Sequence, residues 1–167
     1  MIRKNLYLII LLCSFFSYTQ TENCTSIYLI RHAEKIRDNS ENKNPHLNKK
    51  GILRAHRWKN IFKHIEFDKI FSTDLFRTLE TAKPISEHNG LKIITYTPSK
   101  IYYENFIKNN EGKTIFVVGH SNTTPAFVNA LIEKKLYSDI KDDNNGNLYY
   151  VNKCDGSPAN HVLYYIN

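Results

Sequence analysis

Three short stretches combine residue types that can handle a phosphoryl group. They are Leu29-Ile30-Arg31-His32-Ala33-Glu34-Lys35, the run FSTDLFRTLETA from Phe71 to Ala82, and the run VVGHSNTT from Val117 to Thr124. Together they supply two arginines, two histidines and several hydroxyl and amide donors. A guanidinium presents a planar fork of donors that matches phosphate oxygens, so Arg31 and Arg77 can clamp an oxyanion. A neutral imidazole carries a free ring nitrogen that can attack phosphorus near neutral pH. Two guanidiniums nearby would disfavour a further positive charge, lower the pKa of His32 and keep it nucleophilic. The helix expected after Asn122 can aim backbone N–H groups at an anion, which makes Asn122 a candidate phosphate-binding position. The clamp would also disperse the charge of the transferring group, where most phosphoryl-transfer catalysis lies.

Such residues must be brought together by the elements that carry them. Thr25–Ile30 (TSIYLI) is a β-branched and aromatic run that leads straight into Arg31-His32 and reads as a buried strand. Residues 37–48 are polar, contain Pro45 and read as a loop. The spacing of Ile52, Leu53, Ala55, Trp58, Ile61 and Phe62 predicts a helix over 49–62, despite Gly51 near its start. Residues 68–72 form a second strand. A helix follows from Leu75 to about His88, with Asp74 as its expected cap, Pro84 bending or dividing it, and Asn89-Gly90 as its stop. Residues 91–97 read as a third strand, 99–109 as a short helix or loop, and 113–118 as a fourth strand ending at Gly119-His120. Residues 123–136 read as a helix with Pro125 in its first turn. Residues 148–152 and 161–166 are late strands that can pair as an antiparallel edge hairpin. This alternation predicts a three-layer α/β/α sandwich with a mainly parallel sheet. In such sheets ligands bind beyond the carboxyl ends of the strands, where His32 and His120 both fall.

The three motifs resemble those of the histidine phosphatase superfamily, branch 1, also called phosphoglycerate mutase-like. Its strand-terminal Arg-His-Gly/Ala reads here Arg31-His32-Ala33. Its Ser-x-Leu-x-Arg-Ala/Thr-x-x-Thr-Ala segment reads Thr73 to Ala82, and its later Gly-His reads Gly119-His120. The resemblance spans about residues 25–167 and implies one histidine phosphatase domain over that range. It implies a phosphatase whose nucleophile, His32, is transiently phosphorylated, with Arg31, Arg77 and His120 completing the phosphate pocket. No metal and no cofactor are implied. The expected partner is a small phosphorylated molecule or a phosphoprotein, not a nucleic acid. A catalytically weak, phospho-ligand-binding protein of the same fold is the alternative.

Larger members of the family carry a glutamate that protonates the leaving oxygen. Here Glu34 and Glu104 are the candidate donors, with Asp74 a third and no dedicated acid a fourth reading. An alkyl phosphate needs such a donor more than a phosphoramidate does. The short chain resembles the compact SixA-like members, which act on phosphohistidine. Lys35 and Arg37 are candidates for a second anionic group of the substrate, and His46 for a substrate contact.

The N-terminus reads as a leader. Arg3 and Lys4 precede an apolar run from Leu6 to Phe16, then small polar residues, the pattern of a secretory signal peptide over residues 1–19. A lipid on Cys13 or an uncleaved anchor are the rivals. The run is short of the ~20 residues of a membrane span, so the mature protein is expected in the periplasm or outside the cell, without stable membrane insertion. Loss of Arg3 and Lys4 with residues 1–19 takes the net charge from +7 to +5. The basic residues are scattered, without the stripe typical of nucleic-acid binding. Export leaves Cys24 and Cys154, an even pair that reads as one disulfide in an oxidising compartment or as two unpaired thiols.

Overall fold

The computed structural model describes residues 23–166. The leader assigned to residues 1–19 lies outside them. Six strands form one sheet in the order β3-β2-β4-β1-β5-β6. Strands β1 (Cys24–Arg31), β2 (Lys69–Ser72), β3 (Ile93–Thr95) and β4 (Thr114–Gly119) run parallel. Strand β5 (Asn147–Cys154) joins β1 antiparallel, and β6 (Asn160–Tyr165) joins β5 antiparallel at the edge.

Residues on both faces of the central strands are apolar because helices cover both. Tyr28, Ile30, Phe116 and Val118 meet Trp58 of helix α1 (Lys49–Ile61) and Ala82 and Ile85 of α2 (Phe76–Asn89). Ile27, Leu29, Ile115 and Val117 meet Tyr103 and Phe106 of α3 (Lys100–Phe106) and Phe127, Val128 and Leu131 of α4 (Thr123–Leu131). The result is the expected α/β/α sandwich with an antiparallel edge.

The register sets the site. Arg31 pairs with Gly119 and Ser72 with Val118. The three neighbouring parallel strands therefore release the chain at one edge, and His32, Thr73 and His120 are the first residues beyond it. Two ladder-like bonds extend the pairing one step, from His32 N–H to the Gly119 carbonyl (2.9 Å) and from Thr73 N–H to the Val118 carbonyl (3.4 Å).

Several boundaries differ from the sequence reading. Asp74 does not cap α2: the cap position is Leu75, without a side-chain bond, and Thr78 Oγ1 donates to the carbonyls of Thr73 and Leu75 instead. Pro84 does not divide α2, which runs on to Gly90, whose left-handed φ of 65° ends it. Strand β3 keeps only three of the seven expected residues. Helix α4 stops at Leu131 because the Asn129 side chain accepts from the N–H groups of Leu136 and Tyr137 and folds that segment back. Gly51 has a packing reason: any Cβ there would collide with the Glu34 carbonyl, so only glycine lets α1 lie against the loop after β1.

Candidate active site

His32 is 4% exposed and held from three directions. Its N–H bonds Gly119, its carbonyl accepts from Asn145 Nδ2 at 2.8 Å, and its Nδ1 lies 2.8 Å from the Ala33 carbonyl. A carbonyl accepts only, so Nδ1 carries the proton and Nε2 keeps its lone pair. The Ala33 N–H is fixed in turn by Thr81 Oγ1 at 2.9 Å, a hydroxyl of α2. Burial first, then the charges of Arg31 and Arg77 and the neighbouring His120 ring, outweigh the bond to Ala33 and push the His32 pKa down to about 3. The ring is neutral and oriented, with the Nε2 lone pair uncommitted.

Arg31 is buried, and its guanidinium is anchored on a loop that follows α4. Nη1 donates to the carbonyls of Lys141 (2.8 Å), Asp142 (3.0 Å) and Asn144 (3.0 Å), and Nη2 to the Asp142 carboxylate (2.7 Å). Arg77 stands in the first turn of α2, with Nη1 3.3 Å from the Lys43 carbonyl. In both arginines Nε–H is buried without a partner. A buried donor left unbonded costs about 1–3 kcal/mol, and both of these belong to arginines whose charges act on His32. Burial, and then the Arg31 charge, lower the pKa of Arg77.

His120 faces His32, with ring centroids 5.5 Å apart and planes at 65°. Its Nε2 is 2.8 Å from Thr73 Oγ1, which donates to Thr78 Oγ1 at 2.9 Å. Because the Thr73 proton is used there, Nε2 of His120 is the donor in this chain. Burial, then Arg77, Arg31 and Lys35, push its pKa down to about 4. Gly119 permits this close assembly: a Cβ there would come within 2.7 Å of Thr124 Oγ1 and 3.2 Å of Thr123 Oγ1. Asn122 lies at the same edge, exposed, at the start of α4, and its side chain makes no capping bond.

The structure thus gathers Arg31, His32, Arg77 and His120, and it separates the candidate acids. Glu34 points to α1: Arg54 grips both of its oxygens at 2.8–3.1 Å and Lys50 adds an ion pair at 3.4 Å. Burial raises its pKa, but these bonds win and hold it as a carboxylate. Glu104 sits on α3 in an i,i+4 pair with Lys100 and lines a cavity shared with Cys154 and Asp155, at the edge where β1 begins. Neither is placed to protonate a leaving group at His32. Arg37 is also occupied, bound to both oxygens of Asp142 at 2.8–2.9 Å. His46 is engaged by Glu80 and stacked on Phe76 at 4.3 Å, which pins the 37–48 loop to α2. Sequence reading missed Asp142, Asn145 and the roles of Thr73 and Thr81. The two threonines lie inside the motif; Asp142 and Asn145 lie in a polar loop with no periodic signal. At the far edge Cys24 and Cys154 are register partners joined by a disulfide.

Residues 27–97 match the model of the histidine phosphatase superfamily (branch 1). No curated protein matches the chain in sequence. Among solved structures, the SixA protein of Agrobacterium tumefaciens superposes with a TM-score of 0.63 at 18% identity, over 83% of this chain and 97% of that one. Phosphoserine phosphatase of Entamoeba histolytica, solved with 3-phosphoglyceric acid, gives 0.61 at 21% identity over 86% and 96%. A mycobacterial glucosyl-3-phosphoglycerate phosphatase gives 0.65 at 13% identity over 86% and 99%. The fold is that of the phosphoglycerate mutase-like structures.

Proposed function

We propose that this chain, which carries the histidine phosphatase superfamily (branch 1) match and fold, is a phosphatase acting through a phosphohistidine on His32. The observation that carries the reading is the buried His32 ring, its Nδ1 committed to Ala33 and its Nε2 free beside two arginines whose Nε–H groups lack partners. A phosphate that accepts from Arg31 and Arg77 would lie within reach of that nitrogen. Nε2 attacks phosphorus, the phosphorus–leaving-group bond breaks, and the two guanidiniums balance the charge on the transferring oxygens. Water then cleaves the N–P bond, releases inorganic phosphate and returns the electron pair to Nε2. His120 and Asn122 bound the pocket on the side of β4. The neutralising charge comes from protein side chains, so the reaction is read as metal-independent.

The substrate is read as a small phosphorylated molecule or a phosphoprotein, a monoester or a phosphoramidate. Structures of this fold named for phosphoserine and for glucosyl-3-phosphoglycerate support the monoester reading. Export belongs to the same reading, supported by the leader-like residues 1–19 and by a disulfide suited to an oxidising compartment.

The test is turnover of para-nitrophenyl phosphate and of phosphoramidate by residues 20–167 and by the His32→Ala variant. Wild type is expected to release phosphate and to form a phosphoprotein, and the variant to lose about a thousandfold or more of turnover and the phosphoprotein with it. Equal rates in both proteins would remove the mechanism. Protection from unfolding by phosphate without hydrolysis of either donor would leave a binding protein of the same fold.

A further inference from the structure

We propose that Thr73 and Thr78 are positioning residues that hold His120 as a proton acceptor, so that the site takes its phosphoryl group together with one proton. The inference deepens the phosphatase reading above and rests on it. Two hydroxyls and one imidazole form a chain whose direction the geometry sets. Thr78 Oγ1 lies 2.8 Å from the Thr73 carbonyl and 2.8 Å from the Leu75 carbonyl. A carbonyl only accepts, so the single Thr78 proton goes to these two oxygens. Thr73 Oγ1, 2.9 Å from Thr78 Oγ1, therefore spends its own proton on that bond. His120 Nε2, 2.8 Å from Thr73 Oγ1, must then carry the next proton. In the reverse direction the Thr78 oxygen would face two carbonyl oxygens with no proton between them.

Both threonines are buried, at 3% and 0% exposure, which keeps water out of the chain. The backbone of His120 is fixed as well: its N–H donates to Thr123 Oγ1 and its carbonyl accepts from the Thr124 N–H, each at 3.0 Å. An imidazole has two ring nitrogens, and here Nε2 is committed. Whatever His120 offers a ligand, it offers through Nδ1. Among the described residues that atom makes no hydrogen bond, and it is not sealed from solvent. The charged and titratable groups around the ring are Arg77 of α2, Arg31 and Lys35 on either side of the nucleophile, and His32 itself. Residues 121–124, which lead from β4 into α4, are uncharged. With burial and three cations acting on it, the ring stays neutral and Nδ1 keeps its lone pair.

A lone pair cannot bond a fully ionised phosphoryl oxygen, which only accepts. One proton has to lie between them. The second ionisation of a phosphate monoester falls near pH ~6, so under mildly alkaline conditions neither the free substrate nor the free ring carries that proton. Solvent supplies it on binding, and it is shared between Nδ1 and a phosphoryl oxygen. The proton arrives with the phosphoryl group and leaves with inorganic phosphate, so the enzyme returns to its starting state. Arg31 and Arg77 meet the charge of the group, and His120 selects its protonated form.

Proton–nitrogen NMR spectra of the imidazoles read the tautomer without any ligand, with the His120 signals assigned by their loss in His120→Asn. Wild type and Thr73→Ser are expected to show a protonated Nε2 and a bare Nδ1 at His120, and Thr73→Val and Thr78→Val a mixture or the reverse. Calorimetric titration with inorganic phosphate, above its second ionisation and in two buffers of different ionisation enthalpy, counts the protons taken up. Wild type and Thr73→Ser should take up about one proton more than Thr73→Val. Accordingly kcat/KM on para-nitrophenyl phosphate should fall about tenfold per pH unit on the alkaline side in wild type, and distinctly less in Thr73→Val. A proton on Nδ1 of His120 in wild type, no proton uptake by wild type, equal counts in wild type and Thr73→Val, or parallel pH slopes would overturn the proposal. The first two need no variant, so they decide even where the valine proteins do not fold. A wild type that neither binds phosphate nor hydrolyses the ester removes the phosphatase reading and this inference together; turnover with the wrong tautomer removes this inference alone.

Discussion

At the scale of single residues, the site depends on keeping two imidazoles uncharged. Both His32 and His120 have folded-state pKa values, about 3 and about 4, far below the ~6.5 of an unfolded histidine. Between those limits the unfolded chain binds two protons that the folded one refuses. Stability is therefore largely intact above pH 6.5 and declines as pH falls toward 4, by about 1–2 kcal/mol for each histidine between pH 6.5 and 5, about 3 kcal/mol for the pair. Urea midpoints measured across that window should fall in wild type and fall less in His32→Asn; parallel slopes would contradict the assignment. The sequence carried this much in advance: two arginines beside a strand-end histidine already imply a depressed pKa. It did not carry the tautomer, which is set by a carbonyl one residue away, nor the fate of Glu34, which depends on Arg54 from the next helix.

At the scale of elements, the loop that follows α4 does as much for the site as the strands do. Its carbonyls at 141, 142 and 144 and the Asp142 carboxylate fix Arg31, and Asn145 fixes the His32 carbonyl. Asn145 is 6% exposed, so Asn145→Ala would leave a buried carbonyl unbonded. That change is expected to lower stability by about 1–3 kcal/mol, and to reduce kcat on para-nitrophenyl phosphate because the imidazole loses an anchor. Thermal melts and steady-state rates on the same preparations check both parts. Strands were readable from their apolar runs because both faces are covered. The stop of α2 at Gly90 was readable too, but its cap and the end of α4 were not, since Thr78 and Asn129 bond backbone groups that periodicity does not register. The 141–145 loop carries neither alternation nor a helical stripe, and its value comes only from where the fold delivers it.

At the scale of the whole molecule, the parallel core and antiparallel edge followed from the order of the predicted elements, and the α/β/α layering from their alternation. The disulfide closes a loop of sequence separation 130, linking the first strand to the fifth. Its reduction removes a constraint on the unfolded chain, and a loss of about 2–4 kcal/mol is expected. Urea unfolding with and without reductant measures it, and the Cys24→Ser/Cys154→Ser double variant should then show no further response to reductant. Strand β1 enters at Cys24 and leaves at Arg31, eight residues or roughly 25 Å later. Whatever fastens this chain ahead of Cys24, a lipid, a resin or a fusion partner, pulls from the back of the molecule. The edge that carries His32 and His120 then faces away from the attachment.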